Sequence, residues 1–177
     1  RKREGVCMSK IIMMSGLPGT GKSTIASRLA SENNVAFLNK DHLSGTLHLH
    51  DTDNHSILGY YLLFTLIEAH AQLDIDCIVD AVFPKIGFRE RVREIALKYD
   101  AEHYILHTLC SDTALHRYRL QTRKSIVPWT PISWERVEEI RDFYVAWDTD
   151  TACFLDAVQP FEVNLAQAQR YTHTVLE

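Results

Sequence analysis

Gly16-Leu17-Pro18-Gly19-Thr20-Gly21-Lys22-Ser23-Thr24 contains Gly-x-x-x-x-Gly-Lys-Ser without a mismatch, and it gathers three of the chain's seven glycines. On its N-terminal side, Lys10 to Ser15 is rich in Ile and Met, the composition of a buried strand. On its C-terminal side the pattern from Lys22 to about Asn33 predicts a helix. A strand that feeds a glycine-rich turn into a helix start aims unpaired backbone N–H groups and the positive helix end at phosphate oxygens. The glycines supply φ angles that a side chain would forbid. Gly16, Gly19, Thr20, Gly21, Lys22, Ser23 and Thr24 are therefore the expected nucleotide-binding set. Within it Lys22 would pair with the β- and γ-phosphates and the Ser23 hydroxyl would ligate Mg²⁺.

Working outward, strand-like and helix-like stretches alternate. Val35 to Leu38, Cys77-Ile78-Val79-Asp80 and Tyr104 to Leu109 read as further strands, and Phe161 to Leu165 as the last one. Asn54 to about Leu73 predicts a long helix with little polar surface. Phe88, Val92, Ile95, Ala96 and Tyr99 recur at helical spacing, and Asp112 is placed to cap a helix reaching about Arg123. After the turn Val127-Pro128-Trp129-Thr130-Pro131, a helix begun near Ser133 would turn Trp134, Val137, Ile140, Tyr144 and Trp147 inward. The alternation predicts an α/β domain with a mainly parallel sheet of about five strands, and with the phosphate loop after its first strand the chain resembles a three-layer P-loop NTPase sandwich. Residues 1–177 are expected to form one domain, with a short helical lid at about 119–133.

Composition narrows the class. With 46% apolar residues the chain is not disordered, and 19 Lys+Arg against 23 Asp+Glu give a net charge of −4, which exerts no general pull on a polyanion. The longest mainly apolar run, Ile57 to Ile67, is interrupted by Gly59 and Thr65 and falls short of the ~20 residues of a membrane span. No apolar signal-peptide core follows Arg1-Lys2-Arg3-Glu4, because Lys10 and Pro18-Gly19 intervene. Cys7, Cys77, Cys110 and Cys153 form no CxxC pair, so a reducing, cytoplasmic compartment is expected. Arg1 is not an initiator methionine, and Met8 is a candidate start.

The phosphate loop alone leaves GTPases, motors, ATPases and kinases open. A large motor or AAA-type machine needs more chain, and the Asn-Lys-x-Asp guanine motif is missing. Taken with Asp41, Asp80 and the Arg119 to Arg123 pair, the loop resembles that of the small P-loop kinases, also described as AAA-type kinases. These include polynucleotide 5′-kinases, zeta-toxin-like kinases and chloramphenicol phosphotransferase, and the resemblance runs from about Ile11 to Trp147. It implies a transfer of the ATP γ-phosphate to a hydroxyl with Mg²⁺ as cofactor. Asp41, in Asn39-Lys40-Asp41-His42, is similar to the family's acceptor-side base, although an Asp there could equally cap the next helix. Asp80 is similar to the carboxylate that holds Mg²⁺ directly or through water, or is simply a satisfied strand end.

Arg119 and Arg123, four apart and so on one helical face, resemble the Arg-x-x-x-Arg of a catalytic lid. Arg123 is the favoured catalytic arginine, and the alternative is a solvated face shared with Arg117 and Lys124. The Arg123-to-Pro128 run is similar to the lid exit of polynucleotide kinases, but their phosphate-holding Arg, three residues after the Asp, is replaced here by Ser44. A small metabolite, nucleoside or antibiotic therefore ranks ahead of a nucleic-acid 5′ end as acceptor. Lys85, Arg89, Arg91, Arg93 and Lys98 remain a candidate basic patch for the latter. A nucleoside monophosphate kinase would need no base, and a non-catalytic nucleotide switch could dispense with Asp41 and Arg123. His42, His48, His50 and His55, with Asp51 and Asp53, match no zinc spacing and are expected in a polar loop beside the acceptor. Trp129 and Trp134 are expected to pack the lid, with base stacking as the alternative.

Overall fold

The computed structural model describes residues 8–123 and 132–173. In chain order its elements are β1 (Lys10–Ser15), α1 (Lys22–Asn33), β2 (Ala36–Asn39), α2 (Lys40–Leu49), α3 (His55–Gln72), β3 (Cys77–Asp80), α4 (Ile86–Tyr99), β4 (Glu102–Leu109), α5 (Thr113–Thr122), α6 (Trp134–Asp142), β5 (Cys153–Asp156) and α7 (Phe161–Thr172). The five strands form one sheet in the order β2-β3-β1-β4-β5, and every pairing is parallel.

Parallel strands covered on both faces must be apolar on both, and β1 shows how this chain meets that demand. Ile11 and Met13 enter one core with Leu63, Phe64 and Ile67 of α3 and Val92 and Ile95 of α4. Ile12 and Met14 enter the other with Ile25, Ala26 and Leu29 of α1 and Leu165 and Ala168 of α7. The three expected layers are thus present. The C-terminal strand ends deliver Ser15, Asn39 and Asp80 to one edge of the sheet, the edge where open α/β folds bind ligands.

Three sequence expectations are corrected. Phe161 to Leu165 is the first half of helix α7, and the last strand is Cys153–Asp156. The alternation Phe-Glu-Val-Asn-Leu mimics a strand, but Asn164, Leu165, Ala168 and Thr172 are buried at helical spacing behind Pro160, a residue suited to a helix start. The helix begun near Ser133 stops at Asp142, so Tyr144 and Trp147 do not belong to it. There the backbone finds tertiary partners instead. Val145 N–H donates to Pro84 O, and the Arg89 guanidinium donates to the carbonyls of Val145 and Ala146. The histidine-rich stretch is no loop, because His42 and His48 lie in α2 and His55 opens α3. Among the described residues no three His, Cys, Asp or Glu side chains come together to hold a metal, and no helix is long and apolar enough to cross a membrane. Residues 124–131 of the expected lid, Trp129 included, lie outside the described residues.

Candidate functional site

The loop between β1 and α1 takes its shape from three glycines with positive φ, at +135° for Gly16, +86° for Gly19 and +89° for Gly21. At Gly16 a Cβ would come within 2.2 Å of the Thr108 carbonyl oxygen, so strand β4 itself enforces glycine. Thr20 Oγ1 donates to Leu17 O at 2.7 Å and lies 2.7 Å from Thr108 Oγ1, which commits this hydroxyl to holding the loop. Lys22 is buried and its Nζ donates to Leu17 O at 3.0 Å. Burial holds its pKa below the usual lysine value, against the opposing pull of Asp80 and Asp41.

Beneath the loop, Asp80 Oδ2 accepts a hydrogen bond of 2.7 Å from Asn39 Nδ2. Its Oδ1 is buried with no hydrogen-bond partner among the described residues. Burial raises the Asp80 pKa, and Lys22, then Ser23, oppose the rise. A buried carboxylate with one oxygen out of close hydrogen-bond geometry, and with the Ser23 hydroxyl at the first turn of α1 as its neighbour, is a donor set for a hard divalent cation. Ser23 and Asp80 therefore fit Mg²⁺.

A cavity of about 470 Å³ opens over this floor. Its walls take in Gly19 to Thr24 of the loop, Asn39, Asp41 and His42 after β2, Arg119 and Arg123 at the end of α5, and Gln159, Phe161 and Asn164 around the start of α7. Sequence-identified residues from three separate parts of the chain thus meet at one space. Asp41 does not cap α2. Asn39 does, its Oδ1 accepting from His42 N–H at 2.9 Å, which leaves the Asp41 carboxylate exposed at the cavity with Lys40 Nζ 3.6 Å away. Arg119 lies in the last turn of α5 and Arg123 caps it, and the Arg123 charge is felt at Lys22.

Of the expected basic patch, Lys85 is exposed at the N-cap of α4 and the other four members are engaged. Arg89 is buried, donating to Phe83 O and lying 3.9 Å from the Trp147 ring centroid. Arg91 and Lys98 pair with Glu68, and Arg93 pairs with Glu90. Trp134 packs against α5, edge-on to His116 at 5.1 Å and under the guanidinium of Arg117 at 4.8 Å.

Several neighbours of the site escaped sequence reasoning. Lys40 is buried, donating to Ser56 Oγ at 3.2 Å. Ser15, immediately before the loop, bonds Tyr144 at 2.6 Å and accepts from Trp147 Nε1 at 2.9 Å. Asn164 is buried and donates to Asp156 O. The signal that could have found Tyr144 and Trp147 was their aromatic, hydrogen-bonding character just past a helix end, but no short-range pattern says which strand they reach.

A family model described as an AAA domain matches residues 11–129, two thirds of the chain and all of the phosphate loop. The chain belongs to this AAA-domain family. Among curated proteins no sequence match was found for it. Solved structures share the AAA-domain chain's fold at low identity. A sugar kinase from Janibacter sp. HTCC2649 superposes with a TM-score of 0.71 at 18% identity, over 92% of this chain and 94% of its own. A gluconokinase from Sinorhizobium meliloti 1021 gives 0.68 at 15% identity over 96% and 97%. Chaetomium thermophilum Kti12, solved with ADP-AlF3, gives 0.69 at 15% identity over 93% and 96%. At such identities the likeness establishes the fold alone, the α/β sandwich of a P-loop NTPase.

Proposed function

We propose that this AAA-domain protein is an ATP- and Mg²⁺-dependent kinase that transfers the γ-phosphate to a hydroxyl of a small metabolite, nucleoside or antibiotic. It would stand near the polynucleotide-kinase, zeta-toxin and chloramphenicol-phosphotransferase group and work in the cytoplasm. The observation that carries the reading is the meeting of Lys22, Asp41, Arg119 and Arg123 at one cavity. A switch that only binds nucleotide needs the loop but has no use for an exposed carboxylate lining the same space.

In this reading the acceptor hydroxyl is held by Asp41, which takes its proton as the oxygen attacks the γ-phosphorus and ADP leaves. Lys22 and the arginines balance the charge on the transferring group and the leaving oxygen. Mg²⁺, held through Ser23 and Asp80, would add Lewis-acid charge at the phosphates.

Two features favour a small acceptor over a nucleic-acid end. Ser44, at the position of the polynucleotide kinases' phosphate-holding arginine, is buried against Gly59, where a Cβ would stand 2.0 Å from its Oγ. That contact leaves no space for a long cation. The basic residues of α4 are, besides, engaged by glutamates or buried. The test is transfer of labelled γ-phosphate from ATP across 5′-hydroxyl oligonucleotides, nucleosides, sugars and chloramphenicol- or aminoglycoside-type compounds. Transfer to a member of the last three classes is expected. Transfer to oligonucleotides alone would reinstate the nucleic-acid acceptor, and tight ATP binding without transfer to any would favour the switch.

A further inference from the structure

His116 is a buried imidazole that the mechanism above does not use. It lies on α5, 2% exposed, and its Nε2 is 2.7 Å from the carbonyl oxygen of Pro18 in the phosphate loop. A carbonyl only accepts, so the ring nitrogen donates and Nε2 carries the hydrogen. Burial lowers the His116 pKa, in keeping with a neutral ring. The ring stands edge-on to Trp134, and a Cβ placed on Gly19 would lie 3.3 Å from its Cδ2 and Nε2 and 3.2 Å from Leu120 Cδ1. Helix α5 is thus seated on the rim of the loop at Pro18-Gly19.

We propose that His116 is a positioning residue that sets the phosphate loop for nucleotide and seats the arginine helix over it. Two consequences of the geometry carry this. The Pro18–Gly19 peptide is trans, as are all described peptides, so its carbonyl and the following N–H point in opposite directions. With Pro18 O drawn to His116, which does not itself line the cavity, the Gly19 N–H is turned away from His116, and Pro18, Gly19 and Thr20 all line the cavity. Loss of the hydrogen bond frees this peptide to rotate, and a rotated peptide would present a carbonyl oxygen to phosphate. Leu17 O, one residue earlier, is already tied by Lys22 and Thr20, so His116 completes a series that turns successive carbonyls to protein donors. The second consequence concerns α5 itself. Arg119 and Arg123 follow His116 by about one and two turns, so the bond that aims the loop also seats the stretch of α5 backbone that carries both arginines.

The inference rests on the nucleotide-binding part of the proposed function, and its test separates the two. His116→Leu removes the donor and keeps an apolar filling against Trp134 and Leu120. His116→Gln places an amide N–H near the Nε2 position. Binding of Mg²⁺ with a non-hydrolysable imido analogue of ATP is titrated calorimetrically, with melting of each free protein measured alongside. His116→Leu is expected to bind at least roughly 10-fold more weakly, the scale of a lost hydrogen bond to a charged group, and His116→Gln to recover to within about 3-fold of the parent. Should His116→Leu fail to fold, His116→Asn, whose amide stops one bond short of Pro18 O, takes its place with the same expected loss. Equal affinity in the donor-less and Gln variants, whether both weak or both like the parent, overturns the proposal. A parent that itself binds no nucleotide overturns the proposed function, and this inference with it.

Discussion

Asn39 and Asp80 are partners twice over: they face each other in the parallel register of β2 and β3, and Asn39 Nδ2 donates to Asp80 Oδ2 at 2.7 Å. Asn39 also caps α2 with its Oδ1, so one amide fixes both the helix that bears Asp41 and one oxygen of the buried carboxylate. The Oδ1 of Asp80 is what remains for a cation. Asp80→Asn should therefore raise the Mg²⁺ concentration needed for half-maximal transfer by about 10- to 100-fold, the usual scale for groups around a metal. Activity titrated with Mg²⁺ at saturating ATP measures this, and an unchanged midpoint would return Asp80 to a strand-end role.

Lys22→Ala should abolish transfer while leaving the fold intact. The buried ammonium makes its hydrogen bond to Leu17 O within the loop and carries a desolvation penalty reflected in its lowered pKa, so the core loses little when it goes. In thermal melting, ATP with Mg²⁺ should raise the midpoint of the parent and barely move that of the variant. Equal stabilisation of both would remove Lys22 from the phosphates.

Acid should destabilise the protein through histidines that cannot charge in place. His103 has a buried Nε2 without a hydrogen-bond partner among the described residues, and burial, then the charge of Arg93, lower its pKa from 6.5 to about 4. Burial, then Arg89, lower His107 to about 4 as well. Between those two values the unfolded chain holds protons that the folded chain does not, so unfolding takes them up and stability falls as pH drops through this window. The melting midpoint should fall from pH 6.5 towards 4, and His103→Leu should flatten the fall. Parallel curves for parent and variant would place the responsible protonation elsewhere.

How far the sequence reached depended on the range of the interaction involved. The first strand and helix, Lys10–Ser15 and Lys22–Asn33, and the third strand, Cys77–Asp80, have the expected limits because a local apolar pattern and glycine punctuation define them. Helix α2 was hidden by Gly45, Thr46 and its histidines, poor helix formers that tertiary packing against α3 overrides. The strand Cys153–Asp156 is only four residues long among turns, and Phe161 to Leu165 competed with it by showing a false twofold alternation. In the site, motif residues were legible because each sits at a strand end or helix end. Lys40, Tyr144, Trp147 and His116 were not, since each acts through a partner more than ten residues away, as His116 does with Pro18 and Trp147 with Ser15.

Arg123→Ala should lower kcat by roughly 10²-fold or more while weakening ATP binding much less, because a cation at the end of α5 acts on charge that develops during transfer. Arg123 lines the cavity as the cap of its helix, and its charge already reaches Lys22. Steady-state kinetics separate kcat from KM, and an unchanged kcat would make Arg123 part of the solvated helix face.

Asp41→Asn should bind ATP normally yet lose on the order of 10²–10⁴-fold in transfer to a hydroxyl, the range of a general base. The substitution keeps the size of the side chain and removes only its capacity to take a proton. Because Asn39 and not Asp41 caps α2, and because the Asp41 carboxylate is exposed at the cavity, no capping role competes for the result. Its ion pair with Lys40, at 3.6 Å and half open to solvent, is of the kind that contributes on the order of 1 kcal/mol or less, so the melting midpoint should move little. ADP release is measured with and without acceptor in parent and variant. A base role gives acceptor-stimulated release in the parent and none in Asp41→Asn, whereas a nucleotide switch gives no stimulation in either. Stimulated turnover that survives in Asp41→Asn would remove Asp41 from the chemistry and leave the kinase reading to stand on the phosphate loop and the arginines of α5.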